Sequence, residues 1–482
     1  MPEAAAPLAL GLDLGTSALK AVLTDARGAI LAQGSAAIAT LSEAPGQAEQ
    51  DPAGWLTAAA QAVAAIGEAL AGDRAWRTRL QAIGLAGQLP TLVVLGDRGA
   101  EGPAVTWKDA RADEFAAGVI GARRQELYRL TGMPIDGRYL APMFAVRAER
   151  YRGARRLLSA KDFLCRALTG EELTDPSTAA GYGLYDLGEE RFSAALCALW
   201  HIDPRLLPEV RPAHSIAAPL STTGAQLLGL PAGIAVTVGA ADSMSGAYAM
   251  GPLRPGVVCI AMGSSTIILD AVRERRFDPL GRYLLSPHAV AGWYAREMDL
   301  LATGTGYRWL RGLLRATPGE LEQEAARVAP GANGVTFMPY LGGGEQGALW
   351  NPALRGTLTG LGLASGRGEI GRAFLEGVGF EIRRCVEVLA ESEPVTGVVI
   401  AGGLAQSAFG LRLLANILGR PVQAFPDVSA AALGAACGAL AALDPHTRPA
   451  GGTAGRAVLP DDEHSLYAAL YARYLETSAA CA

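Results

Sequence analysis

Twice in this chain an apolar run stops at a turn of glycine and hydroxyl residues and then resumes. This doubled pattern constrains the fold more than any other feature. The first copy is Leu8 to Asp13, then Leu14-Gly15-Thr16-Ser17-Ala18, then Leu19 to Thr24. The second is Val257 to Met262, then Gly263-Ser264-Ser265-Thr266, then Ile267 to Val272. Short β-rich apolar runs on both sides of a small-residue turn predict strand–turn–strand hairpins.

The segments beyond each hairpin predict a domain. After the first, Asp25-Ala26-Arg27-Gly28 is a turn and Ala29 to Gln33 begins a third strand. Asp51 caps a helix that has Pro52 at its first position and runs to about Leu70. Ala82 to Leu85 is a buried strand ending at Gly87-Gln88. The order β-β-β-α-β mixes hairpins with a crossover and marks an α/β fold. After the second hairpin come a helix over 369–389, a strand over 397–400 and a helix over 407–418. With 482 residues the chain exceeds one ordinary core, so two related domains are expected rather than a short-period array. The expected division is 1–245 and 246–482. Val428 to Leu443, rich in Ala and Gly, falls short of the ~20 residues of a membrane span and predicts a closely packed helix. Residues 445–460 predict a surface loop. Leu466, Tyr467, Leu470, Tyr471, Tyr474 and Leu475 predict one apolar helix face.

Composition excludes several functions. A net charge of −5 without a long basic run argues against a nucleic-acid surface, as do aromatics at only 6%. The start carries no positive segment ahead of an apolar one, so a cytoplasmic protein is expected, with no membrane partner. Cys165, Cys197, Cys259, Cys385, Cys437 and Cys481 are scattered and predict reduced, mostly buried thiols. The histidines are dispersed, without zinc spacing. Lysine occurs only at Lys20, Lys108 and Lys161 among many arginines. These three are expected where a guanidinium fits badly, with chance survival the alternative.

Two aspartates stand where chemistry is expected. Asp13 precedes Gly15, Thr16 and Ser17, whose amides and hydroxyls suit a phosphate chain. A carboxylate there suits Mg²⁺ held through water. Asp242 follows the strand Ile234 to Val238 and the turn Gly239-Ala240-Ala241, and precedes Ser243. It is placed to accept a hydroxyl proton, or to cap a helix. Gly402 and Gly403, leading through Ser407 into a helix, would let an adenine or ribose lie flat. Each element alone also fits a structural turn. Together they predict ATP-dependent phosphorylation of a small hydroxylated molecule, with the two aspartates facing each other across an interdomain gap. A non-catalytic ATP-binding protein shares the hairpins. Ser17-Ala18-Leu19-Lys20 fits S-x-x-K, but neither S-D-N nor K-T-G accompanies it. No P-loop and no G-x-G-x-x-G after a strand occurs.

The chain resembles the FGGY carbohydrate kinases, and among them the xylulokinase branch. The likeness rests on Gly11 to Ser17, Glu49-Gln50-Asp51-Pro52 with Trp55, Gly87-Gln88, Trp107-Lys108-Asp109-Ala110-Arg111 and Lys161-Asp162-Phe163-Leu164. It continues through Thr169-Gly170-Glu171, Asp242, Gly263-Ser264-Ser265, Phe337 to Leu341, Arg372 to Gly377, Ala401-Gly402-Gly403 and Ala432 to Ala436. It implies two ribonuclease-H-like, actin-like ATPase domains with a cleft for ATP and a sugar, and it leaves room for a homodimer. It implies Asp242 as base and Asp13 as organiser of Mg²⁺ and phosphate. Gly15, Thr16, Ser17, Lys20, Gly263, Ser264, Ser265 and Thr266 would face the phosphates. Gly402, Gly403 and Ser407 would face the adenosine. Gln88, Leu89, Pro90, Trp107, Asp109, Asp242 and Ser243 would line the sugar side. D-Xylulose is the implied acceptor, with ribulose, glycerol or a regulatory role as alternatives. Departures fall on the sugar side. Leu89-Pro90-Thr91 stands where Met-His-Gly is usual, Ser243 where Asn is frequent, Pro142 to Val146 where Pro-Lys-Leu-x-Trp is usual, and Gly344-Glu345-Gln346 where Gly-Glu-Arg is usual.

Overall fold

Both hairpins open a seven-stranded sheet in the computed structural model, which describes residues 7–444 except 72, 74, 252 and 344, and residues 455–481. In the first sheet the strands are β1 (Leu8–Leu14), β2 (Ala18–Asp25), β3 (Ile30–Ala37), β4 (Leu80–Gly87), β5 (Ile216–Pro219), β6 (Ala235–Thr237) and β7 (Ala240–Ala241). In the second they are β8 (Val257–Met262), β9 (Thr266–Val272), β10 (Leu284–Pro287), β11 (Tyr294–Leu300), β12 (Gly397–Gly402), β13 (Val422–Ala424) and β14 (Ala457–Val458). The first sheet runs β5-β6-β4-β1-β2-β3, with β7 also on β4. The second runs β10-β11-β9-β8-β12-β13-β14. In each, three antiparallel strands lead into two parallel ones, β3-β2-β1-β4-β6 matching β11-β9-β8-β12-β13. This repeated order is the expected α/β architecture of two ribonuclease-H-like units.

The helices follow the sequence signals. Helix α1 (Pro52–Ala69) starts where Asp51 accepts a hydrogen bond from the Ala53 amide, with Pro52 in the first turn. Helix α2 is Ala160–Thr169, α3 is Asp242–Met250, α4 is Thr303–Leu314 and α5 is Arg367–Ala390. Helix α6 (Ala408–Leu418) is capped by Ser407 and α7 (Ala430–Leu443) by Ser429, and α8 is His464–Cys481. On α8, Tyr467, Tyr471 and Tyr474 are buried in the second domain's core, but Leu466 is exposed, because it falls off that face. Gly344 and residues 445–454 of the predicted loop lie outside the described residues, and 457–458 form β14 rather than loop. The five cysteines from Cys165 to Cys437 are free and buried.

Two helices join the halves. Helix α7, from the second half, packs on β1, β4 and β2 of the first sheet, while α3, which spans the expected boundary at 245/246, reaches β8, β9 and β12 of the second. The two helices also pack against each other. The contact is backbone on backbone, so it requires glycine. A methyl on Gly11 would lie 1.8 Å from the Ala432 carbonyl oxygen, one on Gly84 1.8 Å from that of Ala435, and one on Gly434 1.8 Å from that of Ser245. The Ala/Gly composition of 428–443 therefore serves close approach. A smaller five-stranded sheet, with Glu49–Gln50 as one edge and its other strands within residues 91–158, carries a third apolar cluster together with helices up to about residue 207.

Candidate active site

Asp13 is the next-to-last residue of β1 and Asp242 follows β7; both strands run parallel to β4, which lies between them. The two carboxylates therefore sit side by side on one sheet, at the strand ends where open α/β sheets place ligands. This corrects the expectation that they face each other across the gap. The acids contributed by the other sheet are Glu297 and Asp299 of β11, two residues apart and so on one face of the strand.

The first hairpin is held from three sides. The Gly15 amide donates to the Ala18 carbonyl at 3.2 Å. Trp107 Nε1 donates to Thr16 Oγ1 at 3.0 Å, and Gln50 Nε2 donates to the Thr16 carbonyl at 2.7 Å. Gln50 Oε1 in turn accepts from Trp55 Nε1 and Gln88 Nε2, each at 2.9 Å. Ser17 is exposed at the turn tip. Asp13 is 5% exposed; its Oδ2 accepts from Ser429 Oγ at 3.0 Å, and its Oδ1 has no protein partner. Burial raises its pKa, opposed by Lys20, which faces it across the β1–β2 pair, and by the Ser429 bond.

Asp242 opens α3. Gly239 makes the turn before it, with φ +82° and no room for a methyl beside the Leu85 carbonyl, 2.2 Å away. Asp242 Oδ1 accepts from the Ser243 amide at 2.8 Å. Burial pushes its carboxyl up to about 8, helped by the Asp13 charge and opposed by that amide. Ser243 Oγ donates to Glu297 Oε2 at 3.1 Å, tying the first domain to the second. Burial, with Asp299 beside it, holds Glu297 well above the usual carboxylate range. Burial raises Asp299 to about 6, against the pull of Arg138. Leu89 packs against the apolar cluster of Ala240, Ala241 and Met244, and a cis peptide joins it to Pro90.

The second hairpin repeats the first. The Gly263 amide donates to the Ser265 carbonyl at 2.8 Å, and Arg308 Nη2 donates to Ser264 Oγ at 3.2 Å. Thr266 is the first residue of β9, fully buried with Oγ1 2.7 Å from Thr303 Oγ1, so its side chain faces the core. Gly402 pairs with Met262, and a methyl on it would lie 1.9 Å from the Met262 carbonyl oxygen. Gly403 beside it has open space. Ser407 Oγ donates to Glu322 at 2.6 Å and caps α6 through the Gly410 amide. Asp109 is 1% exposed and its carboxylate is occupied by Arg111, Arg147 and the Ala48 amide; it braces the wall behind Trp107.

All three lysines lie at this cleft or beneath it: Lys20 beside Asp13, Lys108 next to Trp107, and Lys161 under β7. The site residues that the sequence pattern did not single out are Glu297, Asp299, Ser429, Arg308 and Arg138. Glu297 and Asp299 had a signal, two acids at strand periodicity alternating with Met298 and Leu300. Ser429 had one too, a hydroxyl just before a long Ala-rich helix.

Two hairpins with exposed small residues, a carboxylate with a free oxygen and a second carboxylate of raised proton affinity suit transfer of a phosphoryl group. The model for the FGGY family of carbohydrate kinases, N-terminal domain, matches residues 8–249, and the C-terminal domain model matches residues 259–443. The chain belongs to the FGGY family of carbohydrate kinases. Among its relatives, a glycerol kinase from Gloeobacter violaceus is 31% identical over 451 residues, covering 89% of this chain and 86% of that one. A xylulose kinase from Lactococcus lactis is 27% identical over 417 residues, covering 85% and 82%. The crystal structure of xylulose kinase from Rhodospirillum rubrum superposes with a TM-score of 0.87 at 30% identity, over 98% of each chain. The protein is thus a carbohydrate kinase, and kinases of this family use ATP. No helix among the described residues is long and apolar enough to cross a membrane.

Proposed function

We propose that this kinase transfers the γ-phosphoryl group of ATP to a terminal hydroxyl of a ketopentose, D-xylulose first, giving D-xylulose 5-phosphate. The observation that carries the reading is the adjacency of Asp13 and Asp242, with Glu297 and Asp299 joining them from the second domain. Phosphoryl transfer asks the protein for positioning and charge stabilisation more than for covalent chemistry. Asp242 takes the hydroxyl proton. Its raised proton affinity suits a base that receives the proton as the oxygen attacks, provided the carboxyl is ionised when substrate arrives. Lys20 favours that ionised state. The Gly15–Ser17 and Gly263–Ser265 turns offer amides and hydroxyls to the phosphates, Lys20 and Arg308 add positive charge, and Gly402 and Gly403 leave room for the adenosine.

The free Oδ1 of Asp13 fits water-mediated binding of Mg²⁺. The ion would neutralise phosphate charge as it enters with ATP. Residues 1–245 and 246–482 are taken as the two closing halves, with α3 and α7 crossing between them, in a cytoplasmic enzyme. Closure around the substrates limits wasteful ATP hydrolysis.

The sugar wall consists of Gln88, Trp107, Ser243, Glu297 and Asp299, with Leu89 and Pro90 as an apolar face. Acceptor oxygens dominate it, which suits a neutral polyhydroxylated molecule. The glycerol kinase relative supports a second reading, a three-carbon polyol. A coupled ADP-release screen over D-xylulose, D-ribulose, hexuloses, glycerol and gluconate tests both. Highest kcat/KM on a ketopentose supports the first, and highest kcat/KM on glycerol supports the second. ADP release that no hydroxylated compound stimulates contradicts the kinase reading of the site.

A further inference from the structure

Lys161 is fully buried, as are Asp162 and Asp175. Its ammonium lies 2.7 Å from Asp162 Oδ1 and 3.4 Å from Asp175 Oδ1, and donates to the Val238 carbonyl at 3.0 Å. Asp175 Oδ2 accepts from both the amide and the hydroxyl of Ser177. Ser177 Oγ in turn accepts from the Ala241 amide at 3.0 Å. Asp162 is fixed on its other side by the Tyr182 hydroxyl, at 2.9 Å, and by the Ser159 amide.

We propose that Lys161, Asp175 and Ser177 form a buried positioning unit for Asp242, gripping from both ends the turn that presents its carboxylate. The turn begins at Val238 and ends at Ala241. Its first free carbonyl goes to Lys161 and its last amide before Asp242 goes to Ser177. Asp175 links the two grips, by an ion pair with Lys161 on one oxygen and hydrogen bonds from Ser177 on the other. Gly239 between them holds a positive φ against the Leu85 carbonyl, which leaves the turn little freedom of its own. The unit also touches the neighbouring strand end, since a methyl on Gly87 would lie 3.1 Å from Lys161 Cβ. Gln88 follows directly.

A buried ion pair is a poor route to stability, because desolvating the charges offsets most of their attraction, and apolar residues of equal volume commonly do as well. Its retention here has a geometric reason. A backbone carbonyl at the root of the site needs a donor, and an ammonium among two carboxylates supplies a directed one. A lysine ammonium is a compact point charge with three rotatable donors, which suits a position shared by two carboxylates and one carbonyl. These residues touch no substrate. They act through Asp242, and the inference therefore rests on the reading of Asp242 as the base.

The test compares Ser177→Ala, Ser177→Thr, Lys161→Met and Asp242→Asn with the wild type, using ATP with D-xylulose and with glycerol. The readouts are kcat, the KM for ATP, the pH profile of kcat/KM and the melting temperature. Ser177→Ala is expected to lower kcat about 10–100-fold, the scale of a misplaced reacting group, with the KM for ATP changed less than about twofold. Its pH profile shifts, and Ser177→Thr, which keeps the hydroxyl, recovers most of the rate. Lys161→Met follows the same pattern more severely. If that variant does not fold, the serine pair still decides. Ser177→Ala with wild-type kcat and pH profile overturns the proposal, as does a loss of rate that tracks the melting temperature and is not recovered by threonine. An inactive Asp242→Asn beside an unaffected Ser177→Ala removes only the positioning unit. An active Asp242→Asn removes the base assignment itself.

Discussion

Replacing Gly434 by alanine tests the crossing of α3 and α7, on which the relation between the two domains depends. The new methyl would sit 1.8 Å from the Ser245 carbonyl oxygen and 2.6 Å from its carbon, where side-chain carbons stay at least 3.0 Å away. One helix must therefore move by more than about 1 Å. Neither is free to do so, because the other side of α7 lies against Gly11 and Gly84 with equal closeness. Overpacking of this kind costs about 1–3 kcal/mol, and more where backbone meets backbone. Alanine returns about 1 kcal/mol of helix propensity. Taking the upper end of that cost, the net expectation is a loss of about 2 kcal/mol, or ~4–8 °C in melting temperature for domains of this size. Gly118, in the helix Asp113–Ile120, is the control: a methyl there would meet no heavy atom within 4 Å, and its φ is not positive. Gly118→Ala should gain about 0.5–1 kcal/mol. Thermal melts of both variants beside wild type give the answer. A Gly434→Ala protein as stable as Gly118→Ala would refute the backbone-to-backbone crossing.

Other expectations concern protons and caps. Asp242 keeps its proton in the folded protein up to about pH 8, whereas the unfolded chain loses it near 3.8. The folded state then binds the extra proton, so this group's stabilising contribution is complete below about pH 4 and is lost as pH rises through 8. The melting temperature of Asp242→Asn minus that of wild type should therefore grow between pH 4 and 8, and a flat difference contradicts the raised pKa. The same carboxyl places the acid limb of kcat/KM near pH 8 for enzyme free of substrate, rising with pH as the base ionises. Ser429→Ala removes the cap of α7, worth about 1 kcal/mol, together with the hydroxyl on Asp13. The melting temperature should fall by a few degrees and the KM for ATP should rise, and unchanged values of both would remove Ser429 from the site.

Much of the fold is legible along the chain, for reasons that are local. Hairpins, the Asp51–Pro52 helix start and the Ser407 cap depend on residues a few positions apart, so pattern alone locates them. The Ala/Gly segment 428–443 announces close packing, but not what it packs on. That it crosses to the first sheet follows from contacts with Gly11 and Gly84, hundreds of residues away. The same limit applies to the site. Asp13 and Asp242 are visible as strand-end acids, yet their side-by-side placement depends on both strands flanking Leu80–Gly87. Asp109 reads as a lining group because it follows Trp107 so closely. Its capture by Arg111 and Arg147 needs the fold, as does the core-facing turn of Thr266, which the glycine–hydroxyl pattern alone does not distinguish from Ser264.

Phosphoryl transfer by Asp242→Asn, measured as sugar-dependent ADP release alongside binding of ATP, is the most direct test of the base at the centre of this site. Nucleotide binding should stay close to wild type while turnover falls by about 10²–10⁴-fold, the contribution of a positioned base. Wild-type turnover in that variant would contradict the assignment.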